Sequence, residues 1–154
     1  MNEQETRTNK ILPALHDAGW GKIDGTIIKE EFPVNQGRLI GNGQRKQPLK
    51  IDYVLQYRGR NLAVIEAKSD EKSYTEGLDQ SKNYAKLLHV RFAYSTNGNQ
   101  IYQVDMNEAR EGDVNSYPSP EELWNLTFEE ENRIYPDSVD WRDKLISVPF
   151  EDKG

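Results

Sequence analysis

The sequence predicts a single α/β domain with a central mixed β-sheet flanked by helices. Apolar residues recur at helical spacing near the amino terminus and again over residues 74–89, whereas residues 49–67 have the pattern of strands. The length of 154 residues is that of one ordinary domain. Helical and strand patterns that alternate along a chain of this size indicate helices packed on a shared sheet.

The amino-terminal segment, residues 3–18, predicts a helix that is interrupted once. Ile11 and Leu15 lie at helical spacing, and Gly19 is a typical residue at which a helix ends. Pro13 lacks a backbone donor and clashes with the preceding turn. We therefore expect it to kink this helix or to lie in the first turn of a new one.

Residues 25–34 and 49–67 predict three β-strands. The first stretch is rich in isoleucine and is flanked by glycine and proline. Residues 35–48 are polar and contain three glycines, which favours a mobile basic loop. Apolar and polar residues alternate over 49–56, turn residues follow, and residues 62–67 are almost wholly apolar, so this segment predicts a β-hairpin that enters the core.

The next segment predicts a helix followed by a second hairpin. Ser73 and Glu76 have the spacing of a capping box, and a buried apolar stripe continues from them, so we expect a helix over residues 74–89. Residues 91–95 and 100–104 flank the turn sequence Asn-Gly-Asn, which favours two short strands.

Charge divides the chain into two segments. Residues 1–104 hold 15 Lys and Arg against 12 Asp and Glu, whereas residues 105–154 hold 5 against 14. This asymmetry is typical of a mildly basic functional body with an acidic appendage, and a solvated tail without function explains it equally well. A short helix is expected over residues 120–126. The sequence has no cysteine, no signal-peptide pattern and no apolar run of membrane length, so we expect a cytoplasmic protein.

Asp52, Glu66 and Lys68 are the candidate catalytic residues. Glu66 and Lys68 are two positions apart in one predicted strand, so their side chains project from the same face. Asp52 joins that face if the hairpin loop has an odd length, and a three-residue loop over residues 58–60 places it directly opposite Glu66. The other face then carries the apolar residues Ile51, Tyr53, Leu55, Ala63, Ile65 and Ala67.

Two carboxylates and one lysine in this arrangement suit the hydrolysis of a phosphodiester. The carboxylates form an anionic oxygen site for a hard divalent cation such as Mg²⁺, with Mn²⁺ as a substitute. Lys68 would orient or deprotonate the attacking water and stabilise the charge that grows on the phosphate. The same string of residues also occurs by chance as an exposed ion pair. The apolar surroundings of Glu66 favour the metal site, because a buried charge is costly unless it is paired or metal-bound.

Several short motifs lie in order along residues 3–104. They are Glu5-Thr6-Arg7 with the later Ala18-Gly19-Trp20, the K-I-D-Y strand around Asp52, the I-E-A-K strand around Glu66, Gln80-x-x-x-Tyr84, and the turn from Ser95 to Gly98. Together they resemble the amino-terminal nuclease domain of the restriction subunit of type I restriction-modification enzymes. The resemblance implies a restriction-endonuclease-like fold of the PD-(D/E)xK kind. The usual Pro-Asp of that family is Ile51-Asp52 here, a change that keeps the metal ligand.

The resemblance also implies a metal centre. Asp52 and Glu66 would bind the ion, with Ala67 completing the ligand set, and Lys68 would be the catalytic lysine. Glu5 would reach the metal from the first helix, although an exposed charge favoured by the helix dipole explains it equally well.

Gln80 and Tyr84 would line the site and touch DNA, according to the same resemblance. They lie four residues apart and so share one helix face. Without the resemblance, a tyrosine at the rim of the core and a solvated glutamine would be the preferred interpretation.

Double-stranded DNA is the implied substrate. The implied partners are the translocase portion of the same subunit and the modification and specificity subunits of a type I complex. Since recognition in that family is delegated to the specificity subunit, we expect no intrinsic sequence specificity. The candidate phosphate contacts are Arg38, Arg45, Lys46, Lys50, Lys72, Lys82 and Lys86.

The sequence lacks the G-x-x-x-x-G-K-[ST] motif of an ATP-driven motor. Residues 1–104 would then be the endonuclease core, and residues 105–154 an acidic extension or a linker toward a missing motor domain. Two other functions remain open, a stand-alone DNA repair or recombination nuclease of the same fold and an inactive docking module. The intact trio of Asp, Glu and Lys argues against the docking module.

Overall fold

The structure is a computed structural model that describes residues 1–34, 39–40, 44–45 and 49–128, with only the backbone for 39–40 and 44–45. In chain order the elements are α1 (Glu3–Thr6), a π-helical turn (Arg7–Ile11), α2 (Leu12–Asp17), β1 (Thr26–Val34), β2 (Leu39–Ile40), β3 (Gln44–Arg45), β4 (Leu49–Tyr57), β5 (Arg60–Ala67), α3 (Leu78–Leu88), β6 (Phe92–Thr96), β7 (Ile101–Asp105), β8 (Arg110–Val114) and α4 (Pro120–Thr127).

Six of these strands form one mixed sheet in the order β1-β4-β5-β6-β7-β8. All neighbours are antiparallel except β5 and β6, which are parallel and are connected through α3. Helix α3 packs against β5 and β6. Its Tyr84 belongs to a buried cluster with Val54 and Val64, which lie on the same strand faces as Asp52 and Glu66. The predicted α/β architecture with a mixed sheet and flanking helices is confirmed.

The β4-β5 hairpin has the predicted register but a different turn. Arg58 and Gly59 form a two-residue turn with φ angles of 53° and 78°, as in type I′ turns, whereas we expected a three-residue loop. A β-bulge between Leu55 and Gln56 shifts the pairing by one residue. Tyr53 consequently pairs with Ile65, which is the register that the sequence predicted for the strands that carry Asp52 and Glu66.

The amino-terminal helix is interrupted as predicted, and Pro13 lies in the first turn of α2. The interruption is a π-helical turn, because the Leu12 amide donates to the carbonyl of Arg7 five residues earlier. The chain leaves α2 through Gly19, whose φ angle of 109° is in the region that favours glycine.

The predicted start of the second helix is wrong. Helix α3 begins at Leu78, and its N-cap is Gly77, which has no side-chain hydrogen bond. The Ser73 hydroxyl lies 3.0 Å from the Thr75 hydroxyl, so Ser73 does not form the expected capping box with Glu76. The backbone instead makes turns over residues 73–77 before the helix starts.

The sheet continues past the boundary expected at residue 104. Strand β8 pairs with β7, and the first compact unit is Met1–Pro120. The remaining unit, Glu121–Gly154, is described only as far as residue 128. The expected short helix is present as α4. In the part of the chain that the structure describes, no helix is long and apolar enough to cross a bilayer.

Candidate active site

Asp52 is fixed through both of its carboxylate oxygens. It lies on β4 next to Tyr53, which pairs with Glu30 of β1 and with Ile65 of β5. Its Oδ2 accepts a hydrogen bond of 2.7 Å from the Ala67 amide, and its Oδ1 accepts one from Nη2 of Arg7. Burial raises the pKa of Asp52, although the Ala67 amide and the Arg7 guanidinium act in the opposite direction.

Glu66 is a buried carboxylate on the next strand, with a side chain that is 5% exposed. Within the described residues its Oε1 has no hydrogen-bond partner. Burial raises its pKa to about 8, and the neighbouring negative charge of Asp52 contributes to this rise. The two carboxylates therefore form a site in which a second negative charge is costly unless a cation is present.

Lys68 lies beside both acids at the end of β5. Its main-chain amide donates to the Thr96 carbonyl at 2.9 Å, which continues the parallel pairing of β5 and β6. Burial raises the pKa values of Asp52 and Glu66, and the positive charge of Lys68 opposes part of that rise. The half-buried lysine also lines an open cleft with Glu3 and other residues of the amino terminus and of the loop after β5. The structure thus brings the predicted trio together.

The turn from Ser95 to Gly98 anchors the loop between β5 and α3. The Ser95 hydroxyl donates to the Tyr74 carbonyl at 2.7 Å, and Nδ2 of the Asn97 side chain donates to the Lys72 carbonyl at 2.8 Å. These bonds fix residues 72–74, which lead to Gly77 beside Glu66. A Cβ atom at Gly77 would lie 2.9 Å from Cγ of Glu66, so α3 approaches the glutamate as closely as a glycine permits.

Gln80 and Tyr84 are joined on one face of α3, where Gln80 Nε2 donates to the Tyr84 hydroxyl at 2.9 Å. Tyr84 is buried in the core, whereas Gln80 is exposed. Its pKa is raised by burial and also by the charges of Glu66 and Asp52. The tyrosine is therefore a core residue whose electrostatic environment includes the two carboxylates.

Glu5 caps the first helix, which is the alternative role that the sequence left open. It is exposed, its Oε1 accepts from the Asn2 amide at 3.1 Å, and its own amide donates to Asn2 Oδ1 at 2.8 Å. This capping box uses the carboxylate to begin α1. The acid of α1 that approaches the site is Glu3, whose Oε2 lies 2.7 Å from the same Arg7 nitrogen that contacts Asp52.

Four residues at this site had no predicted role. Arg7 contacts Asp52, Glu3 and Glu31 contact Arg7, and Gly77 abuts Glu66. Arg7 was visible only as part of the E-T-R motif. An arginine beside apolar helix positions is a weak signal, since long side chains usually reach solvent.

The predicted DNA-contacting residues fall into two groups. Arg38, Lys46 and the side chain of Arg45 lie outside the described residues. Of the others, Lys86 is exposed. Each of the remaining three has an acidic neighbour: Lys50 lies 3.9 Å from Glu31, Lys72 lies 3.6 Å from Glu76, and Lys82 lies 3.0 Å from Glu111. Lys72 lines the same cleft as Lys68, so it is the described member with the best placement for a phosphate near the site.

Comparison with known proteins gives one family. A family model described as the type I restriction enzyme R protein N terminus matches residues 22–118. The chain is 34% identical over 135 residues to the type I restriction enzyme EcoAI endonuclease subunit of Escherichia coli, a match that covers 80% of this chain and 16% of that relative.

A solved fragment described as an HsdR subunit of a type I restriction enzyme from Vibrio vulnificus YJ016 has a similar structure. The two chains are 32% identical with a TM-score of 0.77, and the match covers 86% of this chain and 26% of the other. This chain therefore spans a minor part of the length of both relatives.

Proposed function

The chain belongs to the type I restriction enzyme R protein N terminus family, and from this premise we propose that it is the metal-dependent endonuclease domain of an R subunit. It would hydrolyse DNA phosphodiester bonds without sequence specificity of its own. The fold would then be the restriction-endonuclease-like, PD-(D/E)xK fold. The observation that carries the proposal is a buried Glu66 whose Oε1 has no partner within the described residues and whose carboxyl interacts electrostatically with the neighbouring Asp52.

The site suits a divalent metal ion such as Mg²⁺, with Mn²⁺ as a substitute. An unpartnered buried carboxylate oxygen is costly, and coordination to a cation would offset that cost. No group of three or more acidic or histidine side chains suited to a metal is present in the described part of the chain. Two carboxylates are sufficient for Mg²⁺, which keeps several waters and takes up phosphate oxygens.

Asp52 and Glu66 would hold the ion through their side chains, and Ala67 can offer only its main-chain carbonyl oxygen. The bound ion would polarise the scissile phosphate and acidify a water molecule. Asp52 is already oriented by the Ala67 amide and by Arg7. Glu66 is confined between β4 and Gly77. The protein thus supplies an oriented and largely buried pair of carboxyl ligands, and a bound cation would favour the ionised form of Glu66.

Lys68 would act on the phosphate or on the attacking water. It lies close enough to both carboxylates for its charge to oppose the rise in their pKa values, and it lines a cleft. An ammonium group there would stabilise negative charge on the phosphate as the bond to the water forms. Gln80 would line the same site and touch the DNA, and the buried Tyr84 would hold the Gln80 side chain through their hydrogen bond.

Double-stranded DNA is the proposed substrate, and the basic residues named above would contact its phosphates. The proposed partners are the translocase portion of the same subunit and the modification and specificity subunits of a type I complex. A stand-alone repair or recombination nuclease and an inactive docking module are the alternatives.

Metal binding and DNA nicking together test the proposal. Titration calorimetry of the 154-residue chain with Mn²⁺ should show binding that Asp52→Asn and Glu66→Gln each abolish. At high protein concentration the unchanged chain should nick supercoiled plasmid weakly, with Mg²⁺ or Mn²⁺ and without regard to sequence. Metal binding without any nicking, alone or within a full subunit, would favour the docking module. Efficient site-specific cleavage by the chain alone would favour the stand-alone nuclease.

A further inference from the structure

We propose that Arg7 is a positioning residue that holds Asp52 in the orientation in which it binds the metal. The inference rests on the proposed function, because it assigns Arg7 a role toward an ion that Asp52 would hold. It adds to that function a residue outside the predicted site and a structural reason for the arginine of the E-T-R motif.

The Arg7 guanidinium is buried and held from several sides. Its side chain is 8% exposed. Nη2 contacts Asp52 Oδ1 and lies 2.7 Å from Glu3 Oε2, while Nη1 lies 3.4 Å from Glu31 Oε2. The guanidinium carbon also lies 5.6 Å from the centre of the Tyr53 ring, within cation-π range. A planar group fixed in this way offers Asp52 a donor in one orientation only.

Two unusual backbone features converge on this guanidinium. Arg7 begins the π-helical turn, and π-turns are frequent at functional sites. Glu31 has a φ angle of 49°, which is uncommon for a residue other than glycine in a strand. Such a conformation persists only where surrounding contacts compensate its cost. The first feature begins at Arg7 itself, and the second lies at Glu31, which contacts the Arg7 guanidinium. Arg7 in turn contacts Asp52, the proposed metal ligand.

The effect on Asp52 is to prevent rotation of its carboxylate. Arg7 engages Oδ1 and the Ala67 amide engages Oδ2, so the plane of the group is defined from two sides. An ionised carboxylate has about four lone-pair positions, and these two bonds leave positions for a cation. A ligand fixed before the metal arrives loses less conformational freedom when the metal binds.

Arg7 also carries a positive charge, which by itself would repel a metal ion. That charge is compensated by Glu3 and Glu31 in addition to Asp52. Three carboxylates around one guanidinium leave the group of four negative overall. We therefore expect the orienting effect to exceed the repulsion, so that loss of the arginine weakens metal binding.

The experiment measures Mn²⁺ affinity by titration calorimetry in the unchanged 154-residue chain, in Arg7→Met and in Arg7→Lys. Loss of an orienting partner typically weakens metal affinity about 10- to 100-fold, and this is the loss expected for Arg7→Met. Arg7→Lys should recover part of the affinity, because lysine keeps the charge but lacks the planar fork.

Arg91→Met is the matched control. Arg91 is also a buried arginine, and its Nε and Nη2 each donate to Asp105 at 2.8 Å. It lies just before β6, at the opposite end of that strand from Ser95, which pairs with Glu66. We expect both Arg91→Met and Arg7→Met to lower the thermal unfolding temperature, since each removes a buried ion pair. Arg91→Met should leave the Mn²⁺ affinity unchanged.

Two results would overturn the inference while leaving the proposed function intact. These are unchanged or tighter Mn²⁺ binding by Arg7→Met, and an equal loss of affinity in Arg91→Met, which would mark the effect as one of stability. If Arg7→Met does not fold, the Arg7→Lys variant alone tests the inference. An unchanged Mn²⁺ affinity in Arg7→Lys would then show that the planar guanidinium is not needed to orient Asp52. Failure of the unchanged chain to bind Mn²⁺ would instead refute the proposed function.

Discussion

Glu66→Gln should stabilise the metal-free protein at alkaline pH. The pKa of Glu66 is about 8 in the folded protein against 4.5 for an ordinary glutamate, a difference of about 3.5. Each pKa unit corresponds to about 1.4 kcal/mol, so keeping this carboxylate ionised in the fold costs at most about 5 kcal/mol. Glutamine has nearly the same shape and no charge, so it avoids that cost.

The sign of the pH dependence follows from the raised pKa. Below pH 4.5 the carboxyl is protonated in both the folded and the unfolded chain, and ionisation costs nothing. Between about pH 4.5 and 8 the unfolded chain releases the proton while the folded chain retains it, so the free energy of unfolding of the unchanged protein falls as pH rises. Above pH 8 the loss is complete, and the advantage of Glu66→Gln is largest.

Urea unfolding in the presence of a chelator, at pH 4.5, 7 and 9, measures this effect. We expect a stability gain from Glu66→Gln that is small at pH 4.5 and reaches several kcal/mol at pH 9. Asp105→Asn is a control in which the opposite effect is expected. The hydrogen bond from Arg91 helps to lower the pKa of Asp105, so the ionised form stabilises the fold, and its replacement should destabilise the protein above about pH 4. A gain that does not change with pH, or a loss at pH 9, would refute the reasoning.

Three further predictions concern the other residues of the site. Lys68→Ala should retain Mn²⁺ binding but lower the rate of DNA nicking at least about 100-fold, since it removes a stabilising charge without removing a ligand; loss of Mn²⁺ binding in calorimetry would give the lysine a structural role. Gly77→Ala should weaken Mn²⁺ binding about 10-fold, because its methyl group would lie 2.9 Å from the buried glutamate, whereas Gly112→Ala, with nothing within 4 Å, should not. Gln80→Ala and Tyr84→Phe should have non-additive effects on nicking, because the two side chains share a hydrogen bond; additive losses in a double-mutant cycle would contradict this.

The register of the site was predictable because strand periodicity is strict. Asp52 had to share a face with Glu66, and only some pairings of the two strands permit that. The loop was not predictable, since a three-residue loop and a two-residue turn followed by a bulge both lead to the same pairing near Tyr53. Periodicity fixes which residues face each other, whereas the turn is decided by local φ angles such as those of Arg58 and Gly59.

The contacts made by the amino-terminal helix required the structure. Arg7 and Asp52 are separated by 45 residues, and no local pattern pairs them. The capping role of Glu5 was readable, since Asn2 stands three residues earlier at the start of the helical pattern. The late start of α3 could not be predicted from the sequence. The chain makes turns up to Gly77, which lies against Glu66, and this contact between distant residues is not visible in a local pattern.

The central claim is that Asp52 and Glu66 hold one divalent metal ion. Anomalous diffraction from crystals grown with Mn²⁺ tests it most directly. We expect a peak bonded to a carboxylate oxygen of Asp52 and to Glu66 Oε1, with Arg7 still in contact with Asp52 and Lys68 beside the ion but not bonded to it. A peak elsewhere in the protein, or a site between the two carboxylates that stays empty at millimolar Mn²⁺, would contradict the account.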